Sequence, residues 1–261
     1  MSRLPLVLLV LAASSAALAQ PVEPGPLVGA VEGRTYVSPT GMFRIAIPVL
    51  PELGGRITDT DNVVIFQDDY NVLCTIAAFP MDATQRWEHS TRGAKDYLAY
   101  FFATYVMPDM QNAFRGARVQ SAKYTPSIAN GALLAYVLLP GGSMFAQKLA
   151  FVDPNSPPEA KRGNLVFVRD NWVYVLSIEL AEHVLEGSSY KKTAAEEDDI
   201  LRNRLIDLYD KIVFTKSPGA PPKPAAPAPS ADTSAAKIPL PAALAPAQPD
   251  ATPPAAPPAK P

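Results

Sequence analysis

The last 45 residues, 217–261, place the strongest limit on what this chain can fold into. They hold 15 of the 29 prolines and 15 alanines, and they contain almost no large apolar side chains. Such a segment cannot bury enough surface to offset the conformational entropy that folding removes. We therefore predict a disordered Pro/Ala-rich tail, and the remaining chain has the length of one ordinary domain rather than two.

The composition of the tail favours an extended chain over a collapsed one. It has one glycine and, on average, a proline at every third position, which favours polyproline II. At about 3.1 Å per residue, it would reach on the order of 140 Å when fully extended. The tail could thus contact a distant partner, such as cell-wall material or an aromatic groove, or act as a passive, solubilising extension; its lack of bulky anchors favours the passive role.

The first 19 residues have the pattern of a secretory signal peptide. Arg3 precedes a strongly apolar run over residues 4–11, and small residues follow that end at Ala19 in an A-x-A cleavage site. A transmembrane anchor is the alternative, but the apolar run is shorter than the roughly 20 residues that cross a bilayer as a helix. We predict a signal peptide over residues 1–19, export to the periplasm or medium, and no transmembrane segment in the mature chain. Residues 20–32 are rich in Pro and Gly and are predicted to be an extended linker.

The charge of the chain argues against a nucleic-acid partner. Lys and Arg number 23 and Asp and Glu number 25, which gives a net charge of −2. A nucleic-acid-binding protein needs a basic stripe to neutralise phosphates. Basic pairs such as Lys161-Arg162 and Lys191-Lys192 are too isolated along the sequence to form one.

Residues 33–216 are predicted to form an α+β domain. Strand-like apolar runs predict strands near residues 35–37, 42–47, 62–67, 72–79, 118–124, 132–139, 144–152, 165–169 and 172–178, with a weaker one at 56–58. In residues 42–47 the apolar residues follow a period of two, which is typical of a half-buried strand. Apolar residues at three- and four-residue spacing predict helices over residues 90–106, ended or kinked by Pro108, and 193–211. The short connections favour antiparallel neighbours. We expect a single domain in which an antiparallel sheet is flanked by the two main helices, as in an α/β/α sandwich.

Two strand phrases resemble the PsbP-like α/β/α sandwich group. They are YVSPTGMFRIAIP at residues 36–48 and NWVYVL at residues 171–176, and the order of the predicted elements from residue 36 to residue 214 agrees with that group. The tryptophan that usually follows the proline of the first strand is missing, and residues 49–53, VLPEL, stand in its place. The resemblance implies an accessory or binding protein without catalysis, and it carries over no functional residue.

Cys74 is the single cysteine, so the chain cannot form an intramolecular disulfide. It lies inside the strand predicted over residues 72–79, where a thiol usually behaves as a small buried apolar group. A nucleophilic role would need an activating base beside it, and the spacing to either histidine does not show one.

The candidate chemical groups are few. The histidines are His89 and His183, and Glu179, His183 and Glu186 would share a helical face and could bind a metal. Because Glu179 ends a predicted strand, an exposed amphipathic segment is the favoured interpretation. The G-x-S-x-G nucleophile turn is absent, and the Gly-Gly-Ser of residues 141–143 is interpreted as a hairpin turn. A triad assembled in space around a histidine stays open.

The acidic clusters are interpreted as local structure. Aspartates over residues 59–61 and at 68–69 could suggest calcium, but the twelve-residue calcium loop is missing, so turns are favoured. The acidic run over residues 196–199 fits a solvated helix start, with a metal or docking site as the alternative. We assign no catalytic, cofactor-binding or metal residue and no cofactor.

Three functions stay open at this point. The leading hypothesis is an exported, non-catalytic accessory or binding protein for an envelope protein or a small ligand, because a convincing core lacks a catalytic set. The second is an exported hydrolase that uses His183 or His89 as its base. The third is a cell-envelope structural protein docked through its tail.

Overall fold

The structure is a computed structural model that describes residues 26–149, 151–152 and 157–215. The predicted signal peptide, residues 20–25 of the predicted linker, and the Pro/Ala-rich tail lie outside these residues. The strands are β1 (Ala30–Glu32), β2 (Thr35–Val37), β3 (Phe43–Ala46), β4 (Arg56–Asp59), β5 (Val63–Gln67), β6 (Leu73–Pro80), β7 (Arg118–Thr125), β8 (Ala132–Pro140), β9 (Glu159–Arg169), β10 (Trp172–Glu179) and β11 (Ile212–Phe214). The α-helices are α1 (Ala83–Phe101), α2 (Met107–Ala113), α3 (Ala181–Leu185) and α4 (Ala194–Asp210).

Seven of the strands form a large antiparallel sheet in the order β4-β5-β6-β10-β9-β8-β7. Hairpins join β4 to β5 and β5 to β6, and a tight turn joins β9 to β10. The turn between β5 and β6 is fixed by Asp68, whose Oδ1 accepts the main-chain N–H groups of Tyr70, Asn71 and Val72 at 2.9 Å each. An acceptor in this position closes the turn that the sequence predicts.

One face of the large sheet, the α1 face, packs against α1, α2 and the turn between them. Alternate residues of the central strands, such as Ala135, Val166 and Val175, form a hydrophobic layer with Phe101 and Met110. Residues 102–106 wind as a π-helix that runs directly into α2, and Pro108 lies in the first turn of α2, immediately after this wider stretch. The helix predicted to stop or kink at this proline therefore continues past it.

The opposite face, the α4 face, packs against α4 and a second sheet of four short strands in the order β1-β2-β3-β11. Leu201 and Leu205 of α4 lie directly on Gly163 of β9. A Cβ atom at Gly163 would lie 3.0 Å from Leu201 Cβ and 3.1 Å from Leu205 Cδ1. The absence of a side chain there lets the helix approach the sheet closely.

The α+β class and the antiparallel sheet flanked by helices are confirmed, and the second sheet is the main departure from a simple sandwich. Its strands are only three or four residues long. Because 165 residues of sequence separate β11 from its partner β3, no local pattern reveals that these two strands pair. Residues 30–32, at the end of the predicted linker, pair with β2 as β1.

The strand predicted over residues 144–152 is wrong. A short 3₁₀-helix spans Ala146–Lys148 in its place. The following strand, which is predicted to start at residue 165, begins six residues earlier, at Glu159. Residues 159–164, EAKRGN, look like loop because they are polar. They occupy a central strand because tertiary contacts satisfy their polar groups.

The first main helix also begins earlier than predicted, at Ala83. Asp82 caps it, since its carboxylate accepts the N–H of Gln85 at 2.7 Å and the Gln85 side chain returns a hydrogen bond to the Asp82 N–H. Gly93 interrupts the helical dihedral angles with φ 77° and ψ 161°. The start predicted at residue 90 lies close to this interruption rather than at the helix start.

Candidate functional site

Neighbouring residues of β9 send two basic side chains to opposite faces of the large sheet. Lys161 points to the α4 face and Arg162 to the α1 face, since successive residues of a strand alternate. Each is neutralised by a carboxylate from another element: Glu197 for Lys161 and Glu179 for Arg162. In the sequence, Lys161 and Arg162 look like an isolated pair of surface charges. In the structure they organise two separate polar sites inside the protein.

On the α4 face, Lys161 lies at the centre of an ion cluster below the start of α4. Its side chain is 0% exposed, and its Nζ donates to Glu197 Oε2 at 3.0 Å and to the Ala194 carbonyl at 3.1 Å. Asp198 makes a further ion pair with Lys161 and accepts the Ser121 hydroxyl at 2.8 Å. Burial of the Lys161 and Glu197 charges is tolerable because each is paired and hydrogen-bonded.

Glu197 joins this cluster to His183. Its Oε1 lies 2.6 Å from His183 Nδ1, and its carboxylate is only 6% exposed. Burial raises the pKa of the Glu197 carboxyl, but the hydrogen bonds and charges of Lys161 and His183 more than reverse this, so the pKa lies below its usual value. The acidic run at the start of α4 is therefore not wholly solvated as predicted, because Glu197 faces inward.

The histidine proposed as a base in the hydrolase hypothesis thus lies beside a carboxylate. If Nδ1 donates to Glu197, the second ring nitrogen of His183 is left to accept a proton. The side chain is 28% exposed, and its ring lies in a T-shaped arrangement with the Tyr190 ring, with ring centres 5.5 Å apart. Among the described residues, its one side-chain hydrogen bond is to Glu197. The other candidate base, His89, packs on buried Tyr97 in a T-shaped arrangement, with ring centres 5.3 Å apart.

The metal set suggested by sequence spacing is not assembled. Glu179 ends β10 on the α1 face, whereas His183 of α3 turns to Glu197. The Glu179 carboxylate accepts the Ser143 hydroxyl at 2.7 Å and pairs with Arg162. In the described ranges, no three His, Cys, Asp or Glu side chains are grouped so that they could hold a metal ion.

The aspartates considered for calcium bind main-chain and side-chain donors of the protein. Asp59 accepts the N–H groups of Val28 and Gly29 at 2.9 and 2.7 Å and the Tyr36 hydroxyl at 2.7 Å. Asp69 pairs with Arg56 at 2.7 Å. Asp59 therefore ties the segment before β1 to β4, as a structural residue.

On the α1 face, Arg162 lines a cavity of about 120 Å³ between the large sheet and the α1–α2 region. We call it the sheet–helix cavity. Its roof consists of Val106, Met110 and Phe114, and Met144 closes one side. Its floor is the sheet itself, where the apolar residues are Val63, Ile65, Leu73, Ala77 and Val175.

Five polar side chains also line the sheet–helix cavity, one from each of five adjacent strands. They are Thr58 of β4, Gln67 of β5, Thr75 of β6, Ser177 of β10 and Arg162 of β9. Thr75 and Ser177 stand opposite each other in the register of β6 and β10. An apolar chamber with a few converging polar groups is the usual composition of a small-molecule site.

Ser177 and Arg162, two of the polar residues that line the cavity, are held in place by hydrogen bonds to neighbouring parts of the protein. The Ser177 hydroxyl donates to Asn164 Oδ1 at 2.6 Å, and Asn164 Nδ2 donates to the Ala135 carbonyl at 3.1 Å. Arg162 Nη2 donates to the Gly142 carbonyl at 3.2 Å and to Glu179 at 3.3 Å. The Gly-Gly-Ser turn therefore helps to position Arg162 and Glu179.

A second concavity, of about 320 Å³, opens to solvent beside the C-terminal half of α4. Cys74 lies at its base with Leu208 and Ile178, and Arg204, Asp207 and Lys211 stand among its other lining residues. Burial raises the pKa of the Cys74 thiol to about 12. The thiol is therefore protonated and inert at neutral pH, as expected of a core cysteine.

The comparisons with known proteins concern the fold. No protein-family model and no curated protein matches the chain. Solved structures do, among them PsbP of Synechocystis sp. PCC 6803, with 12% identity, a TM-score of 0.42, and coverage of 72% of this chain and 99% of that one. The Ran-binding protein Mog1p of Saccharomyces cerevisiae matches with 8% identity, a TM-score of 0.41 and coverage of 71% and 96%.

A protein of Bacteroides thetaiotaomicron matches with 13% identity, a TM-score of 0.37 and coverage of 71% of this chain, which spans 50% of that protein. PsbP and Mog1p are thus among the solved structures that the chain is similar to, at low identity. At these identities the likeness extends to the fold alone. In the described part of the chain, no helix is both long and apolar enough to cross a membrane.

Sequence reasoning missed the site roles of Lys161 and Arg162, which it took as an isolated basic pair, and it considered Glu179 only as a metal ligand. The available signal was the alternation that continues backwards from the predicted strand at residue 165, so that residues 161 and 163 share a face with 165. This alternation is hard to recognise because residues 159–164 are polar, and a polar stretch is typical of a loop unless the partners of its side chains are known.

Proposed function

We propose that this chain is an exported, non-catalytic binding protein whose ligand site is the sheet–helix cavity. The observation that carries the proposal is the row of polar side chains under an apolar roof. Thr75 and Ser177 lie centrally in that row, with Arg162 on the strand beyond. The sequence pattern of residues 1–19 supports the exported location.

The same lining supports binding rather than catalysis. The described residues around the cavity include no histidine, carboxylate or cysteine, so none of them can serve as a general base at neutral pH. The Arg162 guanidinium has donors but no acceptor, and the Ser177 hydroxyl is engaged with Asn164. A polar group held this way orients a ligand and leaves its bonds intact.

The cavity volume sets the size of the ligand. A cavity of about 150 Å³ in another protein admits benzene, and this one measures about 120 Å³. Met110 and Met144 have several rotatable bonds and can move to enlarge it. A ligand of roughly benzene size, or slightly larger after such movement, fits this space.

The direct test uses fluorobenzene as a probe, followed by ¹⁹F NMR and by thermal unfolding. A concentration of about ten times Kd should stabilise the protein by about 1.4 kcal/mol, which raises Tm by about 3–6 °C for a domain of this size. Ala77→Leu extends a buried side chain into the cavity and should abolish binding. Ala122→Leu, at an exposed position of β7, is the matched control and should bind as the native protein does.

If folded A77L binds fluorobenzene as tightly as the native protein, the site is elsewhere and the proposal fails. Absence of saturable binding to the native protein also rejects it. Export is tested separately by mass spectrometry of protein recovered from cells, which should begin at Gln20; a chain that retains residues 1–19 would reject the exported location.

A second candidate, an exported hydrolase, is favoured by one observation: Glu197 is placed to orient His183 as a base. Turnover of ester, peptide, glycan or phosphate substrates that is lost in a folded His183→Ala variant would support it. Unchanged turnover, or none in the native protein, would reject it.

A further inference from the structure

Two nitrogens of the Arg162 guanidinium make no hydrogen bond to the described residues. A guanidinium offers five N–H groups in a rigid plane. Nη2 uses the Gly142 carbonyl and Glu179, whereas Nε is buried and has no hydrogen-bond partner among the described residues. Nη1 makes no hydrogen bond to a described residue either, and unlike Nε it is not sealed off by the protein. Because Arg162 lines the cavity, an acceptor there would bond to Nη1 without displacing a protein contact.

The charge of Arg162 is already balanced at this place. The Glu179 side chain is 0% exposed and lies 3.3 Å from Nη2. The Ser143 hydroxyl and the more distant Met144 N–H, at 2.7 and 3.5 Å, hold its two oxygens. An anionic ligand would therefore add an unbalanced negative charge beside a buried carboxylate, whereas a neutral oxygen would not.

The apolar roof fixes the rest of the ligand. Phe114 lies with its ring centre 5.7 Å from Arg162 Cζ, so the ring and the guanidinium border the same end of the cavity. Val106 and Met110 continue the apolar wall. A ligand oxygen placed at Arg162 would thus be followed directly by a hydrocarbon or aromatic body.

Resting on the proposed function, we infer that the ligand is a small uncharged molecule with an apolar body and one hydrogen-bond-accepting oxygen, which Arg162 binds through Nη1. Ketones, esters and amides of about benzene size belong to this class. Small carboxylic acids in their ionised form do not.

Three probes that share one ring separate these features: fluorobenzene without an acceptor, 4-fluorobenzamide with a neutral oxygen, and 4-fluorobenzoate with a charged one. The amide and the carboxylate are nearly isosteric, so their difference reports charge. At pH 7.4, ¹⁹F NMR titration should give the amide an affinity at least about tenfold higher than either other probe, as expected for a hydrogen bond from a charged donor.

Arg162→Lys keeps the positive charge opposite Glu179 but removes the planar donor, so the amide should lose its tenfold preference while fluorobenzene binds unchanged. If this variant does not fold, Arg162→Met with Glu179→Gln removes both charges together and should give the same result. Arg118→Lys, in an exposed pair with Glu159, is the matched control and should leave all three affinities unchanged.

The outcomes separate this inference from the proposed function. If fluorobenzene binds but the amide binds no better, or the benzoate binds more tightly than the amide, the neutral-acceptor inference is overturned while the cavity remains the site. A preference for the amide that persists in the folded Arg162 variants also overturns it. If no probe binds, the proposed function itself fails.

Discussion

Replacing Lys161 by methionine tests whether the ion cluster on the α4 face stabilises the fold through paired buried charges. The methionine keeps the length of the apolar stem but removes Nζ and its contacts with Glu197, Asp198 and the Ala194 carbonyl. Since Lys161 is 0% exposed and the Glu197 side chain only 6%, water cannot replace the lost partner.

The expected cost follows from that burial. Removal of one partner of a buried ion pair generally costs about 3–5 kcal/mol. Loss of the ammonium leaves Glu197 with His183 alone, so the upper part of this range applies when His183 is neutral. For a domain of this size, the loss corresponds to a Tm lower by about 6–20 °C.

Urea denaturation followed by far-UV circular dichroism at pH 7.5 measures this cost. Lys123→Met, at an exposed position of β7, is the matched control and should change the free energy of unfolding by no more than about 0.5 kcal/mol. The double variant Lys161→Met with Glu197→Gln should lose less than the sum of the two single variants, because it leaves no unpaired charge at this pair.

The pH dependence supplies a second check on the same variant. Without Lys161, the folded-state pKa of the Glu197 carboxyl should rise relative to the native protein, because burial still raises it and only His183 is left to lower it. The stability lost through this rise is fully expressed above the pKa of the variant and disappears once the carboxyl is protonated in both proteins. The deficit of K161M should therefore shrink as the pH falls from 7.5 to below 4.5. A cost below about 1 kcal/mol at pH 7.5, or a deficit that grows on acidification, would refute the reasoning.

Three further predictions follow. In the native protein, burial raises the pKa of Glu182 and of Glu197, but hydrogen bonds led by those from Arg204 and Lys161 bring both values below the usual 4.5. The stability that these ionised carboxyls contribute should therefore fall away as the pH drops through their folded-state pKa. The urea midpoint should drop below pH 4.5, and a flat midpoint would contradict this prediction. Cys74 should react with a thiol reagent at pH 8 only at the rate of unfolding, and rapid labelling of native protein would show an accessible thiol. A valine at position 163 should push α4 from β9 and cost about 1–3 kcal/mol in urea denaturation, whereas unaltered stability would show that the helix moves freely there.

Local patterns in the sequence predicted the elements whose physics is local. The hairpin around Asp68 follows from a carboxylate that accepts main-chain N–H groups a few residues away. The start of α4 follows from Thr193 and Glu196, which satisfy each other's main-chain N–H groups in a capping box. In both cases the partners lie within four residues of each other, so the local sequence is enough to predict the interaction.

The candidate sites could not be predicted in this way, because their partners are distant in the chain. Lys161 meets Glu197 36 residues later, and Arg162 meets Glu179 17 residues later. Taken alone, each of these two basic residues predicts a position on the protein surface. Only the pairing of β9 with β8 and β10 decides that they are buried and that they point to different faces.

By itself, the sequence determined the α+β class, the main antiparallel strands and the faces that they bury, because side-chain alternation and helix caps depend on near neighbours. The tertiary structure alone decided that a polar stretch forms a central strand, that Glu197 turns inward to Lys161, and that five strands assemble one row of polar groups beneath an apolar roof. These features require residues from remote segments to satisfy each other's charge and hydrogen bonds, and that compensation exists only once the chain has folded.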